Sequence, residues 1–506
     1  MNPFFVEGEG RPGFPRRAFA RLDDIEPIAP RGDEDLTFVF DAVDADWDGF
    51  GDRGQLNLNS PNLGEKIAQD WRQRLAAADE AWRQAGGRPP SPAEGKGGRG
   101  SSGGQGQVTA DPDPYDEVPV YRIEFTLARD HSWFEAVPRS EEPWISLELT
   151  DQETDVPVDV YGGLFAAPTL AFLKVAPATN APAAALNAVF DMDAWPDASA
   201  SDVVSALGSA GCGSVDTLVC FDIGQGSASA LVCPHGYPAY YYDVGRGSGR
   251  NRATSPARVD FCTCLDPPVI LSHWDTDHWV GAKGHSRLHG QTWVTPRQKI
   301  STTHTLLAND ILKAGGRVLV VPAGTPPMRW TVGGQEFDLR RCTATSGRNG
   351  TGLALVVTDK ASGRAWVLTG DAAYNELPHA VPAYIAALVA PHHGADMGSA
   401  SVPFGRSSHA YARLIYSFGP GNTFGKKKSP VQHPVQAAVL AHMGAGWVHG
   451  SWAPPPPGHR VAGSDVLATG AHASTHLDGA AATFAGGSPS LHHLSGCPNA
   501  LPVTQS

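Results

Sequence analysis

The sequence predicts an α/β chain with a β-rich accessory region ahead of it, and three observations carry that reading. From about residue 201 to 475, short apolar strands end in glycine-bearing or acid- and histidine-bearing loops, with a helical stretch over Thr303–Ala314. Ahead of that unit, Tyr121, Ile123, Phe125 and Leu127 alternate with Arg122, Glu124 and Thr126, the two-residue period of half-buried strands. Between the first 85 residues and these strands lies a Gly/Ser/Pro-rich stretch, 86–114, which cannot bury a core and is expected to act as a flexible linker.

The elements follow in order. Residues 1–34 are rich in Pro, Arg and Asp and are expected to form an arm; Asp35–Phe40 then alternates as a strand. Asp44, Asp46 and Asp48 have the opening spacing of a calcium loop, but Gln55 stands where a bidentate Glu is needed, so an acidic turn is expected. Ser60-Pro61 reads as a helix start, and Leu63, Ile67, Trp71, Leu75, Ala78 and Trp82 recur at helical spacing up to Ala85. After the linker, residues 115–200 form the β-rich region, with Ile145, Leu147 and Leu149 as a second alternating run. The unit at 201–475 opens with strand, glycine turn and strand over Thr217–Leu231, then Tyr240–Val244. It continues with Arg317–Val321, a hairpin of Gly352–Val357 and Ala365–Asp371, and strands at 385–390 and 414–418; residues 476–506 read as a tail.

Composition bounds the possibilities. A chain of 506 residues with 57 Gly and 42 Pro suits more than one domain, and 41% hydrophobic residues can fill a sizeable core. No apolar run is long enough to span a membrane and no secretory signal is visible. The 7 cysteines are scattered, so a reduced, cytoplasmic protein with buried thiols is expected. A net charge of −13 disfavours indiscriminate nucleic-acid binding and requires a local basic patch for any such partner. His492, His493 and Cys497 read as tail residues rather than a metal clip.

The densest signal is Ser272-His273-Trp274-Asp275-Thr276-Asp277-His278, directly after the apolar strand Val269–Leu271. A strand end turning at once into a loop can aim His273 and Asp275 to one side and Asp277 and His278 to the other. Ligands split in this way suit two neighbouring cations with one hydroxide held between them. Asp371 closes Leu368-Thr369-Gly370-Asp371 at another strand end, and His392 and His393 follow the strand after it.

Taken together, Phe-Asp-Ile-Gly-Gln-Gly at 221–226, Asp-Val-Gly at 243–245, the 272–278 loop, Leu-Thr-Gly-Asp, Pro-His-His-Gly at 391–394 and Ser-Phe-Gly…Asn422…His433-Pro434 resemble the metallo-β-lactamase superfamily. Within it they look like the soluble hydrolase domain of ComEC-type competence proteins. The resemblance covers about 215–450 and implies a four-layer αβ/βα sandwich with the site at one edge of two packed sheets. It does not extend to residues 1–200, and the membrane channel of those proteins has no counterpart here. The chain departs from the family at Asp275, where a His is commonest, near Asn349, where a further His is missing, and at Ser227, where the phrase usually ends in Asp. His304, inside the predicted helix, is not expected to fill the gap.

On this resemblance, His273 and Asp275 bind one cation, Asp277, His278 and one of His392/His393 bind the second, and Asp371 bridges them. The carboxylate-rich set favours manganese over zinc, and harder ions suit phosphoryl oxygens. A water between the cations would then attack a phosphodiester, which makes a metal-dependent nuclease acting on DNA the leading expectation. Asp277, Asp371, His393 and His433 are the catalytic candidates, with His433 or the spare His of the pair protonating the leaving oxygen. Lys426, Lys427 and Lys428 are candidates for holding backbone phosphates. Asp222 and Asp243, at strand ends beside glycine, are expected to orient the ligands. Two alternatives stay open: a small-molecule metallohydrolase for an ester, lactone or cyclic nucleotide, favoured by a lid from residues 1–170, and a non-catalytic binding module. A regulatory protease is a further candidate partner, since Lys96 and Arg99 lie in the linker and a cut there could release a segment packed over the site.

Overall fold

The computed structural model describes residues 2–6, 10–27, 35–89, 113–209, 211–256, 259–283, 285–419, 421–422, 432–448, 465–469 and 479–486. Its strands make one closed barrel and two seven-stranded sheets. The barrel contains β1 (Arg17–Pro27), β2 (Leu36–Asp44), β3 (Val120–Leu127), β4 (Trp144–Thr150), β5 (Pro157–Tyr161) and β6 (Thr169–Leu173), paired in the order β1-β2-β3-β5-β6-β4 and antiparallel throughout.

Alternation along these strands explains the barrel. Ala18, Ala20 and Leu22 of β1, Phe38, Phe40 and Ala42 of β2, and Ile123 and Phe125 of β3 fill its interior, with Phe40 and Phe125 stacked at 5.6 Å. Each large side chain so buried contributes about 1.5–3 kcal/mol. The intervening residues Arg21, Asp23, Asp41, Arg122 and Glu124 point outward yet are also buried. Arg21, Asp41 and Arg122 form one cross-strand row, Asp41 opposite Arg21 on one side and Arg122 on the other, with Asp23 and Glu124 on the same outer face. That row faces the rest of the molecule rather than solvent.

The first sheet holds β7 (Thr217–Cys220), β8 (Ala228–Val232), β9 (Pro238–Val244), β10 (Val269–Ile270), β11 (Thr292–Pro296) and β12 (Arg317–Val321). The second holds β13 (Met328–Val332), β14 (Gln335–Arg341), β15 (Leu353–Asp359), β16 (Arg364–Leu368), β17 (Tyr384–Val389), β18 (Arg413–Tyr416) and β19 (Val466–Ala468), while β20 (Ala480–Thr483) returns to pair with β7. Strands β9 to β12 run parallel, as do β16 to β19, so several strand ends point the same way at one edge of each sheet. The sheets meet through one apolar layer in which Leu218, Tyr240, Tyr242 and Ile270 pack with Leu339, Leu355, Trp366 and Leu368. Outside the first sheet lie helices Leu63–Gln84 and Thr302–Lys313, and outside the second Val439 of helix Gln436–Gly444 packs on Leu388 and Leu414.

Several expectations change. The first residues are not a loose arm: Phe4 and Phe5 are 0% and 2% exposed, and Arg17–Pro27 is a barrel strand. The β-rich unit therefore draws strands from both sides of the 86–114 linker, of which residues 90–112 lie outside the described residues. The long helix starts at Leu63 after Asn62, because Ser60 and Pro61 belong to the preceding turn. Within the expected tail, Ala480–Thr483 is a sheet strand; His492, His493 and Cys497 lie outside the described residues. Cys212 and Cys233 form a disulfide, so the expectation of thiols fails for that pair, while Cys220, Cys262 and Cys342 are buried thiols. Asp44 and Asp46 form an acidic turn as expected, Asp46 pairing with Arg17. No helix among the described residues is long and apolar enough to cross a membrane.

Candidate metal centre

Five strand ends build the centre. The 272–278 loop leaves β10, Asp243 ends β9, Asp371 follows β16, His392 and His393 follow β17, and Ser417 follows β18. Parallel strands present their C-terminal ends together, which is where such sheets place chemistry. The backbone is shaped to this end: Asp243, His392 and His393 have φ of 61°, 47° and 54°, a region that non-glycine residues seldom enter. Two left-handed residues in succession turn both imidazoles of the Pro-His-His-Gly stretch towards Asp371. Gly245 has a different reason for its identity: a Cβ there would lie 1.6 Å from the Asp277 carbonyl oxygen, so the ligand loop can pass only over a glycine.

Hydrogen bonds fix the imidazoles. The Asp243 carboxylate accepts from the Ser272 amide at 2.6 Å and the Ser272 hydroxyl at 2.8 Å, and takes the Nδ1–H of His278 at 2.8 Å. The hydroxyl proton being spent on Asp243, Ser272 Oγ accepts from His273 Nδ1 at 2.9 Å. His393 Nδ1–H is donated to the Ser417 carbonyl at 2.7 Å. In each of the three rings Nδ1 carries the proton, as inferred from these partners, and Nε2 is left with a lone pair. Those lone pairs converge on carboxylates: His273 on Asp275 at 3.1 Å, His278 on Asp371 at 3.2 Å, His393 on Asp277 at 3.1 Å. Nε2 of His278 and of His393 makes no hydrogen bond. A bare ring nitrogen facing a carboxylate oxygen in a buried site repels it unless a proton or a metal cation stands between them, and two sets, His273/His278/Asp371 and Asp277/His278/His393, are close enough to share one metal ion each.

Electrostatics agree with that demand. Burial works against charge on Asp371, but His278, His392, His393 and His273 hold its carboxyl well below the usual range. Burial opposes ionisation of Asp277 too, yet His278 and His393 bring it down to about 2. Burial resists protonation of His278 and His393, and the surrounding carboxylates, Asp371 foremost, override it and raise both, so that a second ring proton takes the place of a cation on Nε2 when no metal is bound. The cluster is thus anionic and can accept positive charge.

The histidine pair divides. His393 has its outer nitrogen on a carbonyl and its inner lone pair on the carboxylates. His392 has Nδ1 at 3.5 Å from the Asn349 amide nitrogen and Nε2 at 3.7 Å from Asp371, the opposite tautomer. Asn349, where a family histidine is missing, therefore turns His392 so that an N–H faces the centre. His433 is brought in behind it, ring to ring at 5.6 Å, by Asn422, which exchanges hydrogen bonds of 2.8 Å with the His433 backbone. Burial, then His392 and His393, push the His433 ring well below the usual range. Asp222 contributes to its own turn, accepting from the Gly224 amide at 3.5 Å. Lys426, Lys427 and Lys428 lie outside the described residues.

Sequence reasoning missed the barrel's share. A cavity of about 60 Å³ at the centre is lined by Asp23, Asp24 and Arg122 as well as by Asp277, Asp371 and His393. An adjoining groove of about 470 Å³ runs past Asp24, Glu141, Arg348, Glu376 and Asp396, mostly acidic. Arg348 pairs with Asp275 at 2.9 Å and Asp23 at 2.9 Å, and Arg122 reaches Asp23 at 2.9 Å and the Thr276 hydroxyl at 2.9 Å. Charges at alternate positions of three neighbouring strands were the available signal, read as a solvent face.

No family model matches the chain, and no curated protein does. Among solved structures, a mutant of the CmlA beta-hydroxylase is similar at 14% identity over 35% of this chain and 35% of that one, with a TM-score of 0.20. A motif mutant of a metallo-beta-lactamase from Cronobacter sakazakii (Enterobacter sakazakii) is similar at 17% identity over 34% of this chain and 69% of that one, with a TM-score of 0.18. This chain thus spans only about a third of the CmlA structure's length. The two-sheet architecture and its centre stand on this chain's own topology and geometry.

Proposed function

We propose that this protein is a metal-dependent hydrolase of the four-layer αβ/βα kind, acting on a phosphodiester. The observation that carries the reading is the convergence of three imidazole Nε2 atoms on carboxylates at 3.1–3.2 Å, those of His278 and His393 making no hydrogen bond, a donor set that two cations would complete. His273, Asp275 and Asp371 would hold one cation; Asp277, His278, His393 and Asp371 the other. Bound there, divalent ions supply Lewis acidity and a water acidic enough to be a nucleophile at neutral pH. The chain's own residues do the rest. Asp243 and the Ser417 carbonyl lock the ring orientations, and the barrel restricts solvent access. His392, with its N–H towards the centre, and His433 behind it stand where a leaving oxygen would need a proton. Three carboxylates among the donors favour manganese over zinc.

DNA is the polymer substrate of this reading, with Lys426–Lys428 as phosphate contacts. A second reading, a small substrate such as a cyclic nucleotide, ester or lactone, is favoured by Asp23, Asp24 and Arg122 lining the cavity. Release by cutting the 86–114 linker carries a condition. Strands β1 and β2 precede the linker and pair with β4 and β3 beyond it, so a cut must be followed by loss of the N-terminal fragment. The deciding experiment reconstitutes metal-free protein with manganese or zinc and assays a small phosphodiester, a lactone, and linear, circular and single-stranded DNA. The proposal expects phosphodiester turnover, greater with manganese than with zinc. Lactone turnover with no phosphodiester turnover would overturn it, and a small phosphodiester cleaved with all DNA intact would select the second reading.

A further inference from the structure

We propose that Asp23, on the barrel strand β1, is a positioning residue for the first cation site and acts through Arg348; this rests on the two-cation reading above. The argument starts from guanidinium geometry. An arginine presents a rigid planar fork and binds a lone carboxylate through two parallel N–H groups whenever it can. Arg348, 3% exposed, does not do so with Asp275. Its Nε lies 2.9 Å from Oδ1 of Asp275 as an ion pair, while its Nη2 donates to the Asp23 carbonyl and lies 2.9 Å from the Asp23 carboxylate, so the guanidinium is shared between the two acids. Oδ2 of Asp275 is thereby left facing His273 Nε2 at 3.1 Å, where a donor for the first site is needed.

Asp23 is itself held from the barrel side. Arg122, from β3, pairs with its other oxygen at 2.9 Å and donates to Thr276 Oγ1 at 2.9 Å, while Thr276 Oγ1 lies 3.2 Å from the same Asp23 oxygen. Two adjacent loop residues, Asp275 and Thr276, are therefore tied to one barrel carboxylate. The second cation set, Asp277, His278 and His393, makes no ion pair with Arg122 or Arg348. Without the Asp23 charge, Asp275 is the carboxylate left in ion-pair contact with Arg348, which is then drawn towards it and competes with the cation for Asp275. The barrel thus sets the first site and leaves the second alone.

The test is Mn²⁺ binding by the full chain, measured by equilibrium dialysis with elemental analysis. Wild type is expected to hold two ions. In Asp23→Asn the weaker-bound ion should lose about 10–100-fold in affinity, the range for removing an outer-shell support, with the other ion unchanged. Asp23→Glu, which keeps the charge, should restore most of that loss. In Asp23→Asn/Arg348→Lys the fork is gone and the first site should recover, an effect that mere loss of packing would not produce. Should Asp23→Asn fail to fold, Asp23→Asn/Arg122→Met balances the charges and carries the same expected loss. Two ions bound by Asp23→Asn at wild-type affinity, or equal weakening of both, would overturn the proposal. Fewer than two ions in wild type would instead overturn the two-cation reading itself.

Discussion

His278 beside Asp371 and His304 beside Asp23 are built from the same two residue types, each histidine 0% exposed, with Nε2 at 3.2 Å and 3.7 Å from its carboxylate. Both clusters have the spacing of a cation site. Their surroundings make them opposites. His278 gives its Nδ1 proton to Asp243, so its inner nitrogen is a lone pair. His304 accepts the Ser301 amide on Nδ1 at 2.9 Å, so its inner nitrogen carries the proton and points a donor at Asp23. Arg122 and Arg348 already neutralise Asp23, whereas no Lys or Arg among the described residues pairs with Asp277 or Asp371. Residue type alone does not define a metal site. The partner on the far nitrogen and the local charge balance decide it.

The difference can be broken from the barrel side first. Replacing Arg122 by Met leaves Asp23, Asp41 and Glu124 short of a buried counter-charge, and such a loss costs about 3–5 kcal/mol. Chemical denaturation should show that loss whether or not cations are present; a change within about 0.5 kcal/mol would mean that the row is not held by charge. A smaller, site-confined effect is expected at Asp243. Asp243→Asn should weaken cation affinity by about 10–100-fold, because His278 loses the acceptor that fixes its tautomer. Unaltered affinity in the folded variant would remove Asp243 from the centre.

The smallest effect is in acid. Burial, then Arg348, keeps His304 neutral with a pKa down at about 3, against 6.5 unfolded. Its contribution to stability is fully present above pH 6.5 and is lost as pH falls towards 3, at up to about 1.4 kcal/mol per pH unit. Asp41 opposes this: burial and Asp23 raise it to about 6, so its contribution is lost as pH rises through 6. His304→Asn keeps an acceptor for the Ser301 amide and removes the titrating ring. The variant's stability should therefore fall less steeply than wild type between pH 6.5 and 4; identical slopes would show that His304 is not held neutral.

The ligand loop, Asp371 and the histidine pair were legible because their chemistry is local: several donors crowded at the ends of apolar strands. The barrel was not. Its β1 and β2 pair with each other and find their remaining partners beyond helix Leu63–Gln84 and the linker, and no local period reveals such a pairing. Arg122 and Glu124 alternate with apolar residues as any exposed face would, and only tertiary packing shows that this face is buried. Phe4 and Phe5 sit among Pro and Gly that read as an arm, yet they pack into the core, Phe5 beneath the Lys283 ammonium at 3.5 Å. Arg348 lies in a polar turn and gave no sign of reaching Asp275.

The most direct test counts manganese ions per chain in wild type, Asp371→Ala and Asp41→Asn. If the strand-end cluster is the metal centre and the barrel cluster is a closed charge network, wild type holds two ions. Asp371→Ala, which removes the carboxylate proposed to bridge the two ions, loses both, and Asp41→Asn keeps two. An ion retained in Asp371→Ala and lost in Asp41→Asn would place the metal in the barrel cluster and contradict the account.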